Sequence, residues 1–446
     1  MTSIAFTSLF LGLVLGTHPV GVAVEGPATR VSFEVDGRPA GTAGKQPWSA
    51  DLDLGRDLAP HELVARALDS GGREVARAEQ WLNVPRQPSE ASLLLETNAD
   101  GRAVAARLTW QSLLGTPPRS IVLTFDGRPL EAPDPSRFAL PEYDPESTHL
   151  LSAQVEFSSS VVSRAGIVLG GLSRTDVSSE LTGIPVRVAA GAALPPPAAL
   201  EGWFRKGSTP VHAVAVERGP AFVLVVRDTD HGEALAKLGS GGRTVFERGM
   251  GGSLPTFDPD HSRFETRFDD ADRIRFLWPR ANRAPGTETP TELFDSSRDF
   301  AGSFAGLHWL LTHVSHPIQK VGDQRFADAV AIAGLHAYAG YTRRAVVLVL
   351  GRQSADSSRY PPALVRAYLA KIHVPLYVWS LDNRMVERIA AAWGETEDVS
   401  SFAKLKTAFA KMRSDLDSQQ MVWLEGRHLP QDIALSEKAS GVELVR

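Results

Sequence analysis

Two small β-sandwiches followed by an α/β domain with a mostly parallel sheet is the multidomain architecture that this 446-residue sequence predicts. Three observations carry the reading. One short motif recurs 90 residues downstream of its first occurrence, a second recurs after 88, and beyond about residue 216 apolar runs alternate with segments of helical period. The length agrees, since a chain of this size exceeds what one hydrophobic core ordinarily supports.

At the N-terminus, residues 4–16 form an apolar run, Thr17-His18-Pro19 breaks it, and Gly21-Val22-Ala23 sets small residues where a signal peptidase cleaves. The pattern predicts a leader over residues 1–25, removed near Ala23, and an exported chain: periplasmic, in the cell envelope or secreted. No Lys or Arg precedes Arg30, a departure from the charged start of such leaders, and a buried N-terminal strand or helix is the alternative. The run is shorter than the roughly 20 apolar residues that cross a bilayer, so the mature chain is expected to lack a membrane span.

The first module is bounded at residues 27–88. Val31, Phe33 and Val35 alternate with Ser32 and Glu34 as in a half-buried strand, and Asp36-Gly37 supplies the positive φ angles of a tight hairpin. A return strand follows Trp48, residues 61–68 alternate again, and Asp69-Ser70-Gly71-Gly72 turns the chain. Pro85-Arg86-Gln87-Pro88 closes the module, because proline cannot donate into a ladder. Residues 89–175 repeat it: Phe33-Glu34-Val35-Asp36-Gly37-Arg38-Pro39 returns as Leu123-Thr124-Phe125-Asp126-Gly127-Arg128-Pro129, and His61-Glu62-Leu63-Val64-Ala65-Arg66-Ala67 as His149-Leu150-Leu151-Ser152-Ala153-Gln154-Val155. These motifs resemble the bacterial immunoglobulin-like modules of cell-surface and exported proteins, which implies two immunoglobulin-like sandwiches acting as spacers or docking surfaces. An extended connecting segment is expected over 176–215.

Residues 221–226, 345–350 and 374–379 are continuous apolar runs suited to strands buried on both faces. Helical spacing over 325–338 and 362–372 separates them, and strand, helix, strand in succession predicts a parallel sheet covered by helices. The domain is placed at 216–435, with a tail at 436–446. The texts "GPAFVLVVRDTD", "VGDQRFADAVAIAGLHAYAGYTRRAVVLVLGRQSADSSRYPPALVRAYL" and "VPLYVWSL", then "VERIAAAWGE" and "FAKLKTAFAKMRSDLDSQQMVWLEG", resemble a von Willebrand factor type A domain of the divergent kind in exported bacterial proteins. A generic Rossmann-like, doubly wound α/β domain uses the same strands and is the competing reading.

The resemblance implies a site at the carboxyl edge of the sheet, where the family holds a divalent metal with an Asp-x-Ser-x-Ser loop, a Thr before a helix and an Asp after the next strand. Each element is altered here. Asp228 and Asp230 remain in the first loop with neither Ser in register, Asp323 and Gln324 stand where Gly-x-Thr is expected, and Arg352 and Ser354 follow the next strand in place of an acid. A hard cation needs several oxygen ligands, so the site is expected to be metal-free, with at most weak Mg²⁺ at Asp228 and Asp230 and with Arg352 pairing with one of those carboxylates. Asp356 either swings in as a replacement acid or, with Ser357 and Ser358, leads into the following helix.

Other classes are disfavoured. The net charge of -5 is spread along the chain with no Lys/Arg run longer than the pair Arg343-Arg344, which leaves no footprint for nucleic acid. Cysteine is absent, excluding disulfides, thiol nucleophiles and thiolate metal sites. No Gly-x-Ser-x-Gly elbow or phosphate loop occurs, and His313-Val314-Ser315-His316 lacks the Glu and the spacing of a zinc protease. The expected function is an exported protein-binding or scaffold protein without enzymatic activity or cofactor, whose partner is another protein. The rival is a metal-assisted hydrolase built on Asp228, Asp230, His231 and Glu233.

Overall fold

The computed structural model describes residues 2–8, 10, 12–84, 89–98, 102–112, 117–126, 128–147, 149–158, 161–170, 181–189, 192–228, 238, 272–283, 292–297, 299–313, 323–340, 342–352 and 355–446. Strands β1 (Ser3–Phe6), β2 (Thr17–Glu25), β3 (Arg30–Val35), β4 (Arg38–Ala43), β5 (Trp48–Asp53), β6 (His61–Leu68) and β7 (Glu74–Leu82) build the first module. They form two sheets, ordered β1-β2-β5 and β4-β3-β6-β7, closed over a core containing Val20, Val31, Phe33, Leu52 and Leu63. Asp36 and Gly37 take φ angles of 52° and 70°, the paired left-handed residues that a tight hairpin requires.

The N-terminal segment, expected as a leader over residues 1–25, is paired into a sheet of the first module. β2 pairs along β5 from Thr17 opposite Asp53 to Val22 opposite Trp48, and Val20 and Val22 point into the core. Cleavage after Ala23 would sever this strand, so the module starts at Ser3 rather than at residue 27. Alternating Val-Gly-Val-Ala-Val has the small, apolar composition of a leader's end, but it also has the two-residue period of a strand.

The second module repeats the first strand for strand. It comprises β8 (Ser89–Thr97), β9 (Ala103–Ser112), β10 (Ser120–Phe125), β11 (Arg128–Pro129), β12 (Arg137–Ala139), β13 (His149–Ser158) and β14 (Val161–Leu169). The sheets run β8-β9-β12 and β11-β10-β13-β14, each strand taking the place of the one seven numbers earlier. The two recurring sequence blocks touch each other. Asp36 accepts from His61 Nδ1 at 2.7 Å and from the Glu62 amide, as Asp126 accepts from His149 Nδ1 at 2.6 Å and from the Leu150 amide.

Beyond residue 180 the expected extended connection is instead folded. β15 (Leu181–Val188), β16 (Phe204–Lys206), β17 (Thr209–Val211) and β18 (Ala213–Glu217) precede the α/β domain. That domain contains β19 (Ala221–Arg227), β20 (Arg273–Arg283), β21 (Glu292–Ser296), β22 (Phe300–Ala301), α1 (Phe304–His313), α2 (Phe326–Ala339), β23 (Arg343–Leu350), α3 (Pro362–Lys371), β24 (Leu376–Ser380), α4 (Val386–Trp393), β25 (Thr396–Asp398) and α5 (Phe402–Ser418). After α5, β26 (Gln419–Glu425), β27 (Ile433–Leu435) and β28 (Val442–Leu444) return to the connecting segment in the sheets β18-β26-β15-β28 and β17-β16-β27. The segment 181–217 and the tail are therefore two halves of a third β unit, whose core holds Ile184, Val186, Phe204, Val422 and Leu424. β26, read from sequence as the last strand of the α/β domain, belongs to this unit.

The α/β sheet runs β21-β20-β19-β23-β24-β25, with β19, β20, β23, β24 and β25 parallel and β21 antiparallel at the edge. Successive residues of β23 alternate between two cores. Val346 and Leu348 pack with α2 and α3, while Val347 and Val349 pack with α1 and α5, so both faces are covered and every residue of the strand is buried. The fully buried Arg343 and Arg344 anchor the opposite end of β23: Arg343 donates to the Gly219 and Leu416 carbonyls and to Asp272, and Arg344 to the His373 and Tyr338 carbonyls.

Module 1 packs directly on this domain. Leu13 and Leu58 lie in the α2/α3 core, Tyr360 and Tyr368 donate to the Leu13 and Asn83 carbonyls at 2.9 Å, and Lys371 pairs with Asp57. Gln431 donates to the Pro60 carbonyl, and the Arg427 guanidinium lies 4.1 Å from the centre of the Trp81 ring.

Candidate functional site

The strand order reverses at β19, with β20 on one side and β23 on the other, and the crevice above the carboxyl ends of strands at such a point is the default ligand site of a doubly wound sheet. Asp228 follows β19 there. Its amide donates to the Val349 carbonyl at 2.8 Å, and its fully buried side chain accepts from Gln324 Nε2 at 2.9 Å. The Gln324 side chain thus presents its NH₂ group to this oxygen. Gln324 in turn accepts the Ser357 amide on its main-chain carbonyl at 2.9 Å, joining the loop after β23 to the loop before α2.

Residues 355–360 are latched to the first turn of α2. Asp356 accepts the amides of Phe326 and Ala327 at 2.9 and 3.3 Å, satisfying donors that a helix N-terminus leaves open. Ser358 Oγ accepts from the Asp328 amide, and the buried Asp328 carboxylate accepts the amides of Arg359 and Tyr360 while pairing with Arg325. Asp356 therefore neither leads into α3 nor stands free as a replacement acid; it caps the other helix, because the loop folds back over α2 before α3 begins.

Arg352 is exposed two residues beyond β23, and its ion-pair contact among the described residues is Asp382 at 4.0 Å, not Asp228. Asp382 lies two residues beyond β24 and is gripped by Arg384, which donates from Nε and Nη2 at 2.9 and 2.7 Å. These hydrogen bonds hold the Asp382 carboxyl down to about 2. Arg227, buried against the Phe276 ring, is pushed down to about 10 by desolvation, against the opposing pull of the Asp228 carboxylate. Asp323 is exposed beside the crevice. Asp230, Ser354, His231 and Glu233 lie outside the described residues.

The structure thus brings together Asp228, Gln324 and Asp356 and places Arg352 one strand further along. Sequence reasoning missed Asp328, Tyr360 and Asp382. Only Asp382 carried a readable signal, an acid two residues past the end of a largely apolar strand. Asp228 Oδ1 faces the Gln324 side-chain amide, and Asp356 faces the Phe326, Ala327 and Ser358 amides and the Ser358 hydroxyl.

No protein-family profile and no curated protein matches the chain. Among solved structures, the fibronectin(III)-like modules of Clostridium thermocellum CbhA are similar at 15% identity over 40% of this chain and 98% of theirs, with a TM-score of 0.15. The central fibronectin-III array of RIM-binding protein follows at 11% identity, 44% and 81% coverage and a TM-score of 0.21. Proximal thread matrix protein 1 from the mussel byssus is 14% identical over 46% of this chain and 48% of its own, with a TM-score of 0.24. At such scores these likenesses carry no weight, and the two β-sandwiches rest on the strand pairing described above. No helix among the described residues is long and apolar enough to cross a membrane.

Proposed function

We propose that the chain is a protein-binding or scaffold protein rather than an enzyme, and that its α/β domain is a degenerate von Willebrand factor type A-like domain engaging a partner protein at the carboxyl edge without a divalent metal. One observation carries the reading: the buried Asp228 carboxylate is turned onto the Gln324 amide. A metal-dependent domain would keep these oxygens for the cation, and a carboxylate already held by a protein donor supports an ordered site without an ion. The reversal of strand order at β19 and the helices on both faces support the fold part of the proposal. Export remains part of the proposal as an expectation, although β2 occupies the N-terminal run, and the binding reading is independent of compartment.

Thermal melts of the full chain in EDTA and in millimolar Mg²⁺ or Mn²⁺ test the metal-free reading. A ligand at about 100 times its Kd stabilises by about 2.7 kcal/mol, so coincident melts are expected. A rise of several degrees that disappears in Asp228→Ala would overturn it. A photocrosslinker at the exposed Asp323 tests the binding reading: a partner should be captured there and not from the opposite edge of the sheet, for example at Arg218.

A further inference from the structure

The loop 355–360 has two sides. Toward the crevice it holds α2 and Gln324 through Asp356, Ser357 and Ser358; toward module 1 it reaches the Leu13 carbonyl through the Tyr360 hydroxyl. Two residues after Tyr360 the chain enters α3, which carries the contacts of Tyr368 with the Asn83 carbonyl and of Lys371 with Asp57. Asn83 completes the circuit. Held at a φ of 57°, it accepts the Val14 amide at 2.7 Å and donates to the Val14 and Ala59 carbonyls at 2.8 and 2.7 Å, fixing the segment whose Leu13 is inserted in the α2/α3 core.

We propose that module 1 is a built-in regulator of the crevice: its docking on α3 and on residues 355–360 and the ordering of the Asp228–Gln324 site are one coupled equilibrium. The loop is short, both its faces are spent on hydrogen bonds, and Asp328 ties its end to the first turn of α2, so it cannot keep one set of contacts while abandoning the other. Coupling of this kind is reciprocal: whatever stabilises the closed crevice favours docking, and an undocked module 1 loosens the crevice. The inference takes the location of the site from the reading above, but its test uses neither partner nor metal and so stands or falls separately.

Hydrogen exchange of the full chain read by mass spectrometry is decisive. The double variant Asp57→Ala/Asn83→Gly alters only module 1 and touches neither the loop nor α2; glycine also keeps the positive φ at position 83. It is expected to speed exchange at the Ser357, Arg359 and Tyr360 amides by about 5-fold to 150-fold, the usual span of a coupling free energy, while β13 and β14 of module 2 stay unchanged. In the reverse direction, Asp356→Ala is expected to speed exchange at Val14. Loop exchange less than about fivefold faster than wild type in the double variant would overturn the proposal. Should that variant fold poorly, Tyr360→Phe deletes one hydroxyl and little packing. Faster exchange at both Val14 and Arg359 is then expected, and a change confined to one side counts against coupling.

Discussion

His61 and His149 occupy equivalent places and make the same Nδ1 contact to an aspartate, yet their other ring nitrogens differ. Nε2 of His149 faces the Asp144 carbonyl at 2.9 Å, whereas Nε2 of His61 is buried with no hydrogen-bond partner among the described residues. Desolvation works against charge on His149, but the bonds to Asp126 and to the Asp144 carbonyl outweigh it and raise its pKa above 6.5. A group whose folded pKa is raised stabilises the fold fully below its unfolded value and loses that contribution as pH climbs through the folded one. The melting transition of module 2 is therefore expected to fall as pH rises from about 6.5 through the folded value, and Asp126→Asn should flatten that dependence in calorimetry. An unchanged slope would show that the pair is structurally ornamental. Asp36 works in the opposite sense. Burial raises its pKa, but the His61 and Glu62 hydrogen bonds lower it further, so its contribution is present above 3.8 and is lost toward acid.

Among the elements, β2 separates sequence reasoning from structure most clearly. Burying Val20 and Val22 is worth on the order of 3–6 kcal/mol for the pair, a large share of a domain's net stability. A chain lacking residues 2–23 is expected to lose the cooperative fold of module 1, seen as rapid proteolysis within β3 to β7. A truncated chain as resistant as the full one would restore the leader reading. β19, β23, α2 and α3 were legible because their periods are local. The repeat was legible because Asp36 and His61 must recur together to meet, although its seven-strand pattern and N-terminal start were not. β15 was illegible for a physical reason: its partner β26 sits far along the chain, with Thr182 opposite Leu424, and no local period encodes a distant pairing. The candidate site was legible at Asp228 and Gln324, whose positions follow from the ends of elements. The roles of Asp356 and Arg352 depend on how loops fold over neighbouring helices and strands, which residue type alone does not specify.

At the scale of the molecule, the two sandwiches differ in what they pack against. Among the described residues the core of module 2 is built from residues 91–169, while module 1 lends Leu13 and Leu58 to the α/β core. Calorimetry of the full chain should resolve a separate transition for module 2, with module 1 melting together with the α/β domain; module 1 unfolding alone would contradict the docking. The same interface has a consequence during biosynthesis. Asn83 and Tyr368 are 285 residues apart, so at about 5–20 residues per second a ribosome needs roughly 14 to 57 s to deliver the second after the first. For that interval module 1 is complete but its leucine-bearing segment has nothing to cover it, a sticky nascent surface that a chaperone would have to shield.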